Sequence, residues 1–417
     1  MRSSGRVAAA IANAEAQTAF PLTAEWTPWG LAAGDVGLAL VCGYVDECFP
    51  EQGWDAEAHH RLTMAAATLP SLERGSLSAS LFEGLGGIAF VAHRLSRGGS
   101  RYQRLAKTVD ALLLPRAAEL VRSLDPRSGR HDVGRFDVIS GGAGLGAVLL
   151  TQEAWEDEVY RRQTLSSLLC ALIQMMDDPD GLSVWYTPPQ LLGDEDLVRA
   201  YPHGVLNCGL AHGLPGPLAL MALALQHGAG EPRLADATAR LADLLVNLQV
   251  DSGGGWPSMI PLTPDGQLGP SEPSRTAWCY GTPGATRALW LAGRALHRAD
   301  LCAEATEAMR TALERPVAQQ GVDAPTFCHG IAGLLHTTLR FAHDTHEIYF
   351  VRQVEDLTEQ LLALYDPDSL LGYRDWEPGN RLVDRPGLLS GALGVAAVLL
   401  AAGTGTVPAW DRVFLLA

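Results

Sequence analysis

Two cysteines and one histidine stand directly before glycine-containing turns in the C-terminal half of the chain. Cys279 lies in Trp-Cys-Tyr-Gly, and the pair Cys328 and His329 lies in Phe-Cys-His-Gly. Two thiolate sulfurs and one imidazole nitrogen form a ligand set that suits Zn²⁺. A site with three protein ligands keeps a fourth position open, as catalytic zinc sites do and structural zinc sites do not. The pattern therefore predicts an enzyme that binds one Zn²⁺ per chain through these residues and handles a thiol.

A repeated glycine pattern organises the whole chain. Pairs of glycines three residues apart, each followed by an apolar run, recur along it. The first members of these pairs are Gly34, Gly84, Gly141, Gly213, Gly281, Gly330 and Gly391. Successive pairs are separated by about 50 to 70 residues, the length of two helices with their connections. The repeat predicts stacked helical units whose glycine turns gather at one end, where a site should lie.

Each repeat unit contains two different kinds of predicted helix. Apolar runs rich in Ala and Leu, such as residues 285–296, follow the glycine turns and are typical of buried helices. Amphipathic stretches lie between the turns, at residues 102–124, 233–248 and 349–364, with apolar residues three and four positions apart. Seven such pairs can close into a ring, with the apolar helices as its inner wall and the amphipathic helices as its outer wall.

Two long connections and the start of the chain depart from this pattern. Residues 177–203 and 251–275 contain several helix-breaking Gly and Pro residues, so we expect rim loops or a small β extension there. Residues 1–24 are poor in helix signals and are expected to form a tail. The sequence therefore predicts a single helical domain over residues 25–417.

Composition and charge exclude several classes of protein. The net charge of −16 argues against nucleic acid or anionic lipid as the main partner. The seven scattered cysteines are an odd number in a long chain, which argues against a disulfide framework and favours a reducing compartment. Apolar runs such as residues 391–403 are too short to span a bilayer. We therefore expect a cytoplasmic protein.

Three motifs occur in a fixed order along the chain. They are Asn-Cys-Gly-Leu-Ala-His-Gly-Leu-Pro-Gly at residues 207–216, Trp-Cys-Tyr-Gly-Thr-Pro-Gly at residues 278–284 and Cys-His-Gly at residues 328–330. In this order, and over the repeated glycine turns, they resemble the lanthionine synthetase C-like family, the lanthipeptide cyclases. The resemblance extends from about residue 24 to the end of the chain.

This resemblance implies a fold, a reaction and partners. The implied fold is an all-α α,α-toroid of seven inner and seven outer helices, in some members with a small β extension. The implied reaction is zinc-dependent: cysteine thiols of a dehydrated ribosomal precursor peptide add to dehydroalanine or dehydrobutyrine and close lanthionine or methyllanthionine rings. No kinase-like or lyase-like region precedes the toroid, so the chain resembles free-standing cyclases. Family analogy implies that these work with a separate dehydratase, and with a transporter that would bring them to the membrane.

The ligand set also suggests which further groups the reaction needs. A thiol that coordinates zinc is deprotonated, and a third thiolate at a site with two protein thiolates stays nucleophilic. Its addition to an alkene conjugated to an amide leaves an enolate, and a general acid must protonate the α-carbon. His212 precedes a glycine turn, matches a family histidine and is our candidate for that acid. Asp137 matches a family aspartate and is expected to orient His212 or tune its basicity.

Two further residues match family positions beside Cys279. Arg275 is expected to stabilise the enolate oxygen or to offset the negative charge of the zinc centre. Tyr280 is expected to hydrogen-bond in the same area, although plain packing explains a tyrosine there almost as well.

Several other residues carry weaker expectations. We expect His203 at the rim, Cys208 in the core and most other histidines at the surface. The tryptophans that are candidates to line a groove are Trp185, Trp256 and Trp278.

Three alternative functions remain open from the sequence. A zinc-dependent peptide-cysteine alkyltransferase of the prenyltransferase kind would also use a helical toroid, but it typically has a carboxylate ligand and a basic diphosphate pocket. A non-catalytic, zinc-stabilised scaffold would only present the peptide to a dehydratase. A glycosidase on the same kind of toroid needs two suitably spaced carboxylates, and Asp137 is the only obvious candidate near the rim.

Overall fold

The computed structural model describes most of the chain as helices, with two small sheets. The described residues are 26–69, 77–125, 132–151, 158–177, 184–250, 255–377 and 381–417. The tail expected over residues 1–24 lies outside them. In chain order the α-helices are α1 (Asp35–Cys48), α2 (Trp54–Thr68), α3 (Leu85–Arg94), α4 (Gln103–Ser123), α5 (Gly142–Leu149), α6 (Glu158–Met175), α7 (Glu195–Ala200), α8 (Pro215–Gln226), α9 (Leu234–Asn247), α10 (Thr282–Leu296), α11 (Ala299–Glu314), α12 (Val317–Gln320), α13 (Ile331–Thr345), α14 (Ile348–Ala363) and α15 (Ala392–Gly403).

The described residues form two compact units. The first contains residues 26–69, 77, 82–105, 322–377 and 381–410. The second contains residues 78–81, 106–125, 132–151, 158–177, 184–250, 255–321 and 411–417. In the first unit α1 packs against α2 and α3, and α13 packs against α14 and α15. In the second unit α8 packs against α5 and α9, and α10 packs against α8 and α11.

Helices α1, α3, α5, α8, α10, α13 and α15 follow the glycine turns, as the repeat predicts. They are the apolar helices of the pattern. Every residue of α5 is buried, and so are residues 282–293 of α10 and 331–342 of α13. A helix that is buried on all sides has no need of a polar face, which explains why these segments read as Ala- and Leu-rich runs.

The chain before several of these helices folds back and covers the first helical turn, as α5 illustrates. The N–H of Ala143 donates to the carbonyl of Phe136 at 3.0 Å, and the N–H of Gly144 donates to that of Asp137 at 3.1 Å. These bonds satisfy amides that a helix start leaves without partners. A Cβ at residue 144 would lie 2.0 Å from the carbonyl oxygen of Val138, so a side chain does not fit there. The close approach of two backbones is therefore the reason for the repeated glycines.

The amphipathic stretches form the helices of the other layer. The predictions over residues 102–124, 233–248 and 349–364 are confirmed as α4, α9 and α14, with ends that differ by one residue. The buried positions of α9 recur at spacings of three and four: Leu234, Ala237, Thr238, Leu241, Ala242 and Leu245. Each buried leucine of this stripe contributes about 1.5–3 kcal/mol. Three of the four exposed positions of this helix are polar: Asp236, Asp243 and Asn247.

The small sheets lie in connections between helices. Strands β1 (Tyr186–Thr187), β2 (Val205–Asn207) and β3 (Met259–Pro261) form an antiparallel sheet in the order β1-β2-β3. Strands β1 and β3 fall in the connections where we expect loops or a β extension. Strands β4 (Arg374–Glu377) and β5 (Arg381–Asp384) form a separate antiparallel pair, in which Asp375 lies opposite Val383. No pattern in the sequence predicts this second pair.

Two histidines that were expected at the surface are buried. His93 is 1% exposed at the end of α3, and His336 is fully buried in α13. The His336 ring lies 4.7 Å from the Trp410 ring, between centroids. The surface prediction is wrong for these two because both lie on apolar helices that are covered on every side.

Candidate active site and metal centre

Cys279 lies in a segment that is held from both sides. Gly281 begins α10 with a φ of 130°, and a Cβ there would lie 1.7 Å from the carbonyl oxygen of Arg275. On the other side, the indole N–H of Trp278 donates to the carbonyl of Phe414 at 3.1 Å, and the two rings meet edge to face. Cys279 is 5% exposed. Its position is therefore set by a glycine turn and a buried tryptophan.

Cys328 and His329 occupy the corresponding place before α13. The N–H of Cys328 donates to the carbonyl of Leu389 at 2.9 Å. Phe327 is fully buried and meets Trp410 edge to face. Cys328 and His329 themselves are partly exposed. The buried residue before them fixes the backbone, and their side chains stay accessible.

The three predicted metal ligands belong to different compact units: Cys279 lies in the second, whereas Cys328 and His329 lie in the first. In each unit they stand shortly before the glycine at which a buried helix begins. Two cysteine sulfurs and one imidazole nitrogen form a donor set that suits Zn²⁺.

His212 is paired with Asp137, as the sequence predicts. The His212 Nδ1 lies 2.6 Å from the Asp137 Oδ2. The other carboxylate oxygen accepts hydrogen bonds from the N–H groups of Ser140 at 2.7 Å and Gly141 at 2.8 Å. Asp137 is 1% exposed, whereas about a third of the His212 side chain is exposed. A buried, backbone-anchored carboxylate therefore holds one ring nitrogen of an accessible histidine.

Tyr280 completes this cluster together with a residue that the sequence analysis assigned no role. The rings of Tyr280 and His212 are stacked, with centroids 6.0 Å apart and planes 29° apart. The side-chain amide of Asn207 donates to the Tyr280 hydroxyl at 3.3 Å, and its oxygen accepts from the N–H of Gly209 at 3.0 Å. Asn207 is 4% exposed. A buried amide at the start of the Asn-Cys-Gly motif is the signal that would have pointed to it.

The segments carrying His212 and Cys279 are joined through their backbones. The N–H of Ala211 donates to the carbonyl of Cys279 at 3.2 Å. A Cβ at Gly209 would lie 2.4 Å both from that carbonyl oxygen and from the Tyr280 ring. The proton-transfer candidate and the first metal-ligand candidate are therefore neighbours, and a glycine allows their close approach.

Arg275 is placed differently from the other predicted residues. Its side chain is exposed. No hydrogen bond or ion pair joins its guanidinium to another residue in the described part of the chain. Its carbonyl, by contrast, is packed against Gly281. The structure gives Arg275 a backbone role in the turn, and its predicted charge role stays a prediction.

A buried carboxylate that the sequence analysis missed lies beside His329. The Asp375 Oδ1 is 3.9 Å from the His329 Nε2, and its Oδ2 is 3.7 Å from the Arg385 Nε. The N–H of Trp376 donates to Oδ1 at 2.9 Å. Asp375 is 3% exposed. Burial raises the pKa of this carboxyl above its usual value, while His329, the Trp376 N–H and Arg385 act in the opposite direction.

The remaining predicted residues divide between core and surface. The three candidate groove tryptophans are 0–1% exposed and therefore pack in the core: Trp185, Trp256 and Trp278. Cys208 is fully buried, as expected, and burial raises the pKa of its thiol to about 12. His203 is exposed.

Comparisons with known proteins identify chains that are similar to this one. A nisin biosynthesis protein, NisC, from Lactococcus lactis subsp. lactis is 24% identical over 317 residues, which is 74% of this chain and 74% of that protein. The solved structure of a nisin cyclase aligns over 99% of this chain and 97% of its own, with a TM-score of 0.81 and 21% identity. This match confirms the predicted fold class, an α,α-toroid with small sheets.

A second solved structure is more distant. An unsaturated glucuronyl hydrolase from Bacillus sp. GL1 aligns over 88% of this chain and 94% of its own, with a TM-score of 0.47 and 15% identity. A likeness at that level carries no conclusion about function. No helix in the described part of the chain has both the length and the apolar character needed to cross a bilayer.

The family assignment rests on nearly the whole sequence. The family described as lanthionine synthetase C-like protein matches residues 25–415. The matched range includes the glycine turns, the paired Asp137 and His212, and the predicted metal ligands Cys279, Cys328 and His329. The chain belongs to the lanthionine synthetase C-like family.

Proposed function

We propose that this protein is a zinc-dependent cyclase that closes thioether rings in a dehydrated ribosomal precursor peptide. Its membership of the lanthionine synthetase C-like family, with a nisin biosynthesis protein and a nisin cyclase among its relatives, makes it a lanthipeptide cyclase. The finer proposal names the metal and the reaction: cysteine thiols add to dehydroalanine or dehydrobutyrine. The observation that carries it is the donor set: Cys279, Cys328 and His329 each stand shortly before a glycine that begins a buried helix.

The donor set suits activation of a thiol. When bound, Zn²⁺ would keep a substrate cysteine in its thiolate form, because a coordinating thiol is deprotonated. Its protein ligands would be Cys279, Cys328 and His329. Two of these ligands are thiolates, and their negative charges would offset the charge of Zn²⁺. An incoming substrate thiolate would therefore be bound less strongly and would stay nucleophilic. A position left open by three protein ligands is what a substrate sulfur requires.

The addition itself leaves the atom count of the peptide unchanged. A bond forms between the cysteine sulfur and the β-carbon of the dehydro residue, and the carbon–carbon π bond breaks. Its electron pair moves to the α-carbon and the adjacent amide carbonyl, which gives an enolate. The thiol has lost one proton, and the α-carbon must gain one. A residue near the thiolate must therefore hold and deliver a proton.

His212 is the proposed proton donor. Its Nδ1 faces the Asp137 carboxylate, which accepts hydrogen bonds only, so Nδ1 carries a proton and Nε2 is the atom that delivers one. Asp137 acts as a positioning residue because two backbone N–H groups fix its other oxygen. Tyr280 is stacked on His212, and we assign it a hydrogen bond near the enolate.

Arg275 and the partner proteins belong to the same proposal. Arg275 lies six residues before Gly281, in the turn that carries Cys279, and its side chain is exposed. We propose that its guanidinium stabilises the enolate oxygen or the charged metal centre. A dehydrated precursor peptide, leader plus core, is the proposed substrate. A separate dehydratase would supply it, and a transporter would take the product.

The test is ring closure with purified protein. The substrate is a synthetic peptide with one cysteine and one dehydroalanine, incubated with and without a zinc chelator. Because cyclisation conserves mass, the product is counted as peptide that no longer reacts with a thiol-alkylating reagent. We expect the thiol to disappear only with zinc-loaded protein. Alkylation of the cysteine by an isoprenoid diphosphate, with no ring closure, would identify an alkyltransferase instead.

A second arm separates an enzyme from a scaffold. The variant His212→Asn keeps the predicted metal ligands and removes the proposed acid. A cyclase loses ring closure in this variant and still binds zinc. Ring closure that continues at the wild-type rate in His212→Asn protein would support the non-catalytic scaffold.

A further inference from the structure

We propose that Asp375 is a positioning residue for the metal centre: its carboxylate faces the Nε2 of His329, fixes the orientation of the ring and leaves Nδ1 as the nitrogen that binds the metal. The inference rests on the proposed zinc site and adds a residue that the family motifs quoted above do not contain. It also rests on contacts within one compact unit, since His329, Asp375 and Arg385 all belong to the first.

The distances support a direct role for the carboxylate. The Asp375 Oδ1 lies 3.9 Å from the His329 Nε2. This is within ion-pair range and about 1 Å longer than a charge-assisted hydrogen bond. A small rotation of the partly exposed imidazole is enough to close this gap. Metal-binding histidines usually donate their second ring N–H to a carboxylate, which fixes their tautomer and orientation.

Asp375 is buried among groups that can pair with a carboxylate. The residue is 3% exposed, and a buried carboxylate needs compensating partners. Arg385 supplies a positive charge 3.7 Å from Oδ2, and the Trp376 N–H donates to Oδ1. Strand β4 sets the direction of the side chain: Asp375 points inward, whereas the next residue, Trp376, is 42% exposed. The strand alternation therefore aims the carboxylate at His329.

Asp375 is a neighbour of a proposed ligand and is not itself one of the three. Its Oδ1 faces His329, and both residues belong to the first unit. A carboxylate in that place holds the ring in one orientation and leaves the open coordination position to the substrate sulfur.

The experiment compares zinc affinity in three variants of the full chain. Asp375→Asn removes the charge and keeps the shape, and Asp375→Glu restores a carboxylate. Asp323→Asn is the matched control, because Asp323 is an exposed carboxylate whose charge acts on Asp375. Zinc affinity is measured by competition with a chromophoric chelator, and the absorption spectrum of the Co²⁺-substituted protein reports on ligand geometry.

We expect Asp375→Asn to weaken zinc binding by about 10- to 100-fold and to change the Co²⁺ spectrum. Asp375→Glu should recover part of the loss, and Asp323→Asn should stay within about twofold of wild type. Far-ultraviolet circular dichroism of each metal-free protein checks folding. Zinc affinity in folded Asp375→Asn protein equal to that of Asp323→Asn protein would overturn the inference. Absence of zinc binding in the wild type would instead refute the proposed metal site, which keeps the two failures distinguishable.

Discussion

Replacing Asp137 by asparagine is the substitution for which the structure specifies the outcome in most detail. One carboxylate oxygen accepts hydrogen bonds from the N–H groups of Ser140 and Gly141. Because two donors point at it, the atom in this position must be a hydrogen-bond acceptor. In Asp137→Asn the amide oxygen must take it, which turns the NH₂ group toward His212. A donor then faces Nδ1, and the imidazole must adopt the tautomer with its proton on Nε2. That ring is neutral and is a poor proton donor.

The expected size of the effect follows from the lost interaction. A hydrogen bond to a charged group contributes about 1.5–3 kcal/mol, and each 1.36 kcal/mol of barrier changes a rate about tenfold. We therefore expect kcat for ring closure to fall by about 10- to 150-fold. The predicted metal ligands are untouched, so zinc content should not change. The assay follows loss of the alkylatable thiol in a peptide with one cysteine and one dehydroalanine.

Two further variants test whether the effect passes through the histidine. His212→Asn should lose at least as much activity, and Asp137→Asn combined with His212→Asn should be no slower than His212→Asn alone, because residues that act as a unit are not additive. Asp132→Asn is the matched control: this carboxylate is exposed, near the same turn, and paired with Arg135 at 3.5 Å. An unchanged rate in Asp137→Asn, or fully additive losses in the double variant, would refute the positioning role.

Two other predictions follow from the packing of single residues. Gly281→Ala places a Cβ 1.7 Å from a carbonyl oxygen at a φ of 130° and should lower the free energy of unfolding by more than about 3 kcal/mol, measured by chemical denaturation. The loop variant Gly230→Ala, where nothing lies within 4 Å of the new Cβ, should change it by less than about 0.5 kcal/mol, and an equal loss in both variants would contradict the turn argument. In the native protein at pH 8, iodoacetamide should modify the exposed Cys170 and leave Cys208, because burial raises the pKa of the Cys208 thiol to about 12 and keeps it protonated. Rapid modification of Cys208, read by peptide mass spectrometry, would show that its segment opens.

The helical repeat was predictable because it has a local cause. A glycine is needed wherever a backbone carbonyl packs against the start of an apolar helix, as the Val138 carbonyl does at Gly144. This requirement produces the repeated glycine pairs in the sequence. The amphipathic helices produce a second sequence signal, because burial of one face spaces their apolar residues three and four positions apart. Predicted ends of α4, α9 and α14 therefore fall within one residue of those observed.

The surroundings of the site were less predictable because they depend on residues distant in sequence. Asp375 comes from a strand pair that follows the metal-ligand motif by more than 40 residues, and nothing local marks it as a partner of His329. Trp278 resembles a groove residue by its place beside Cys279, yet its indole is buried on Phe414. A sequence motif names the residue types at a site, whereas burial and facing partners come from the fold.

Metal content tests the central claim most directly. Purified wild-type protein should contain about one zinc per chain, and Cys279→Ala, Cys328→Ala and His329→Ala should each lose it or bind it far more weakly. The measurement is elemental analysis after dialysis against a weak chelator, with Cys170→Ala as the exposed-cysteine control that retains zinc. Wild-type protein without zinc, or full zinc content in any of the three ligand variants, would contradict the account.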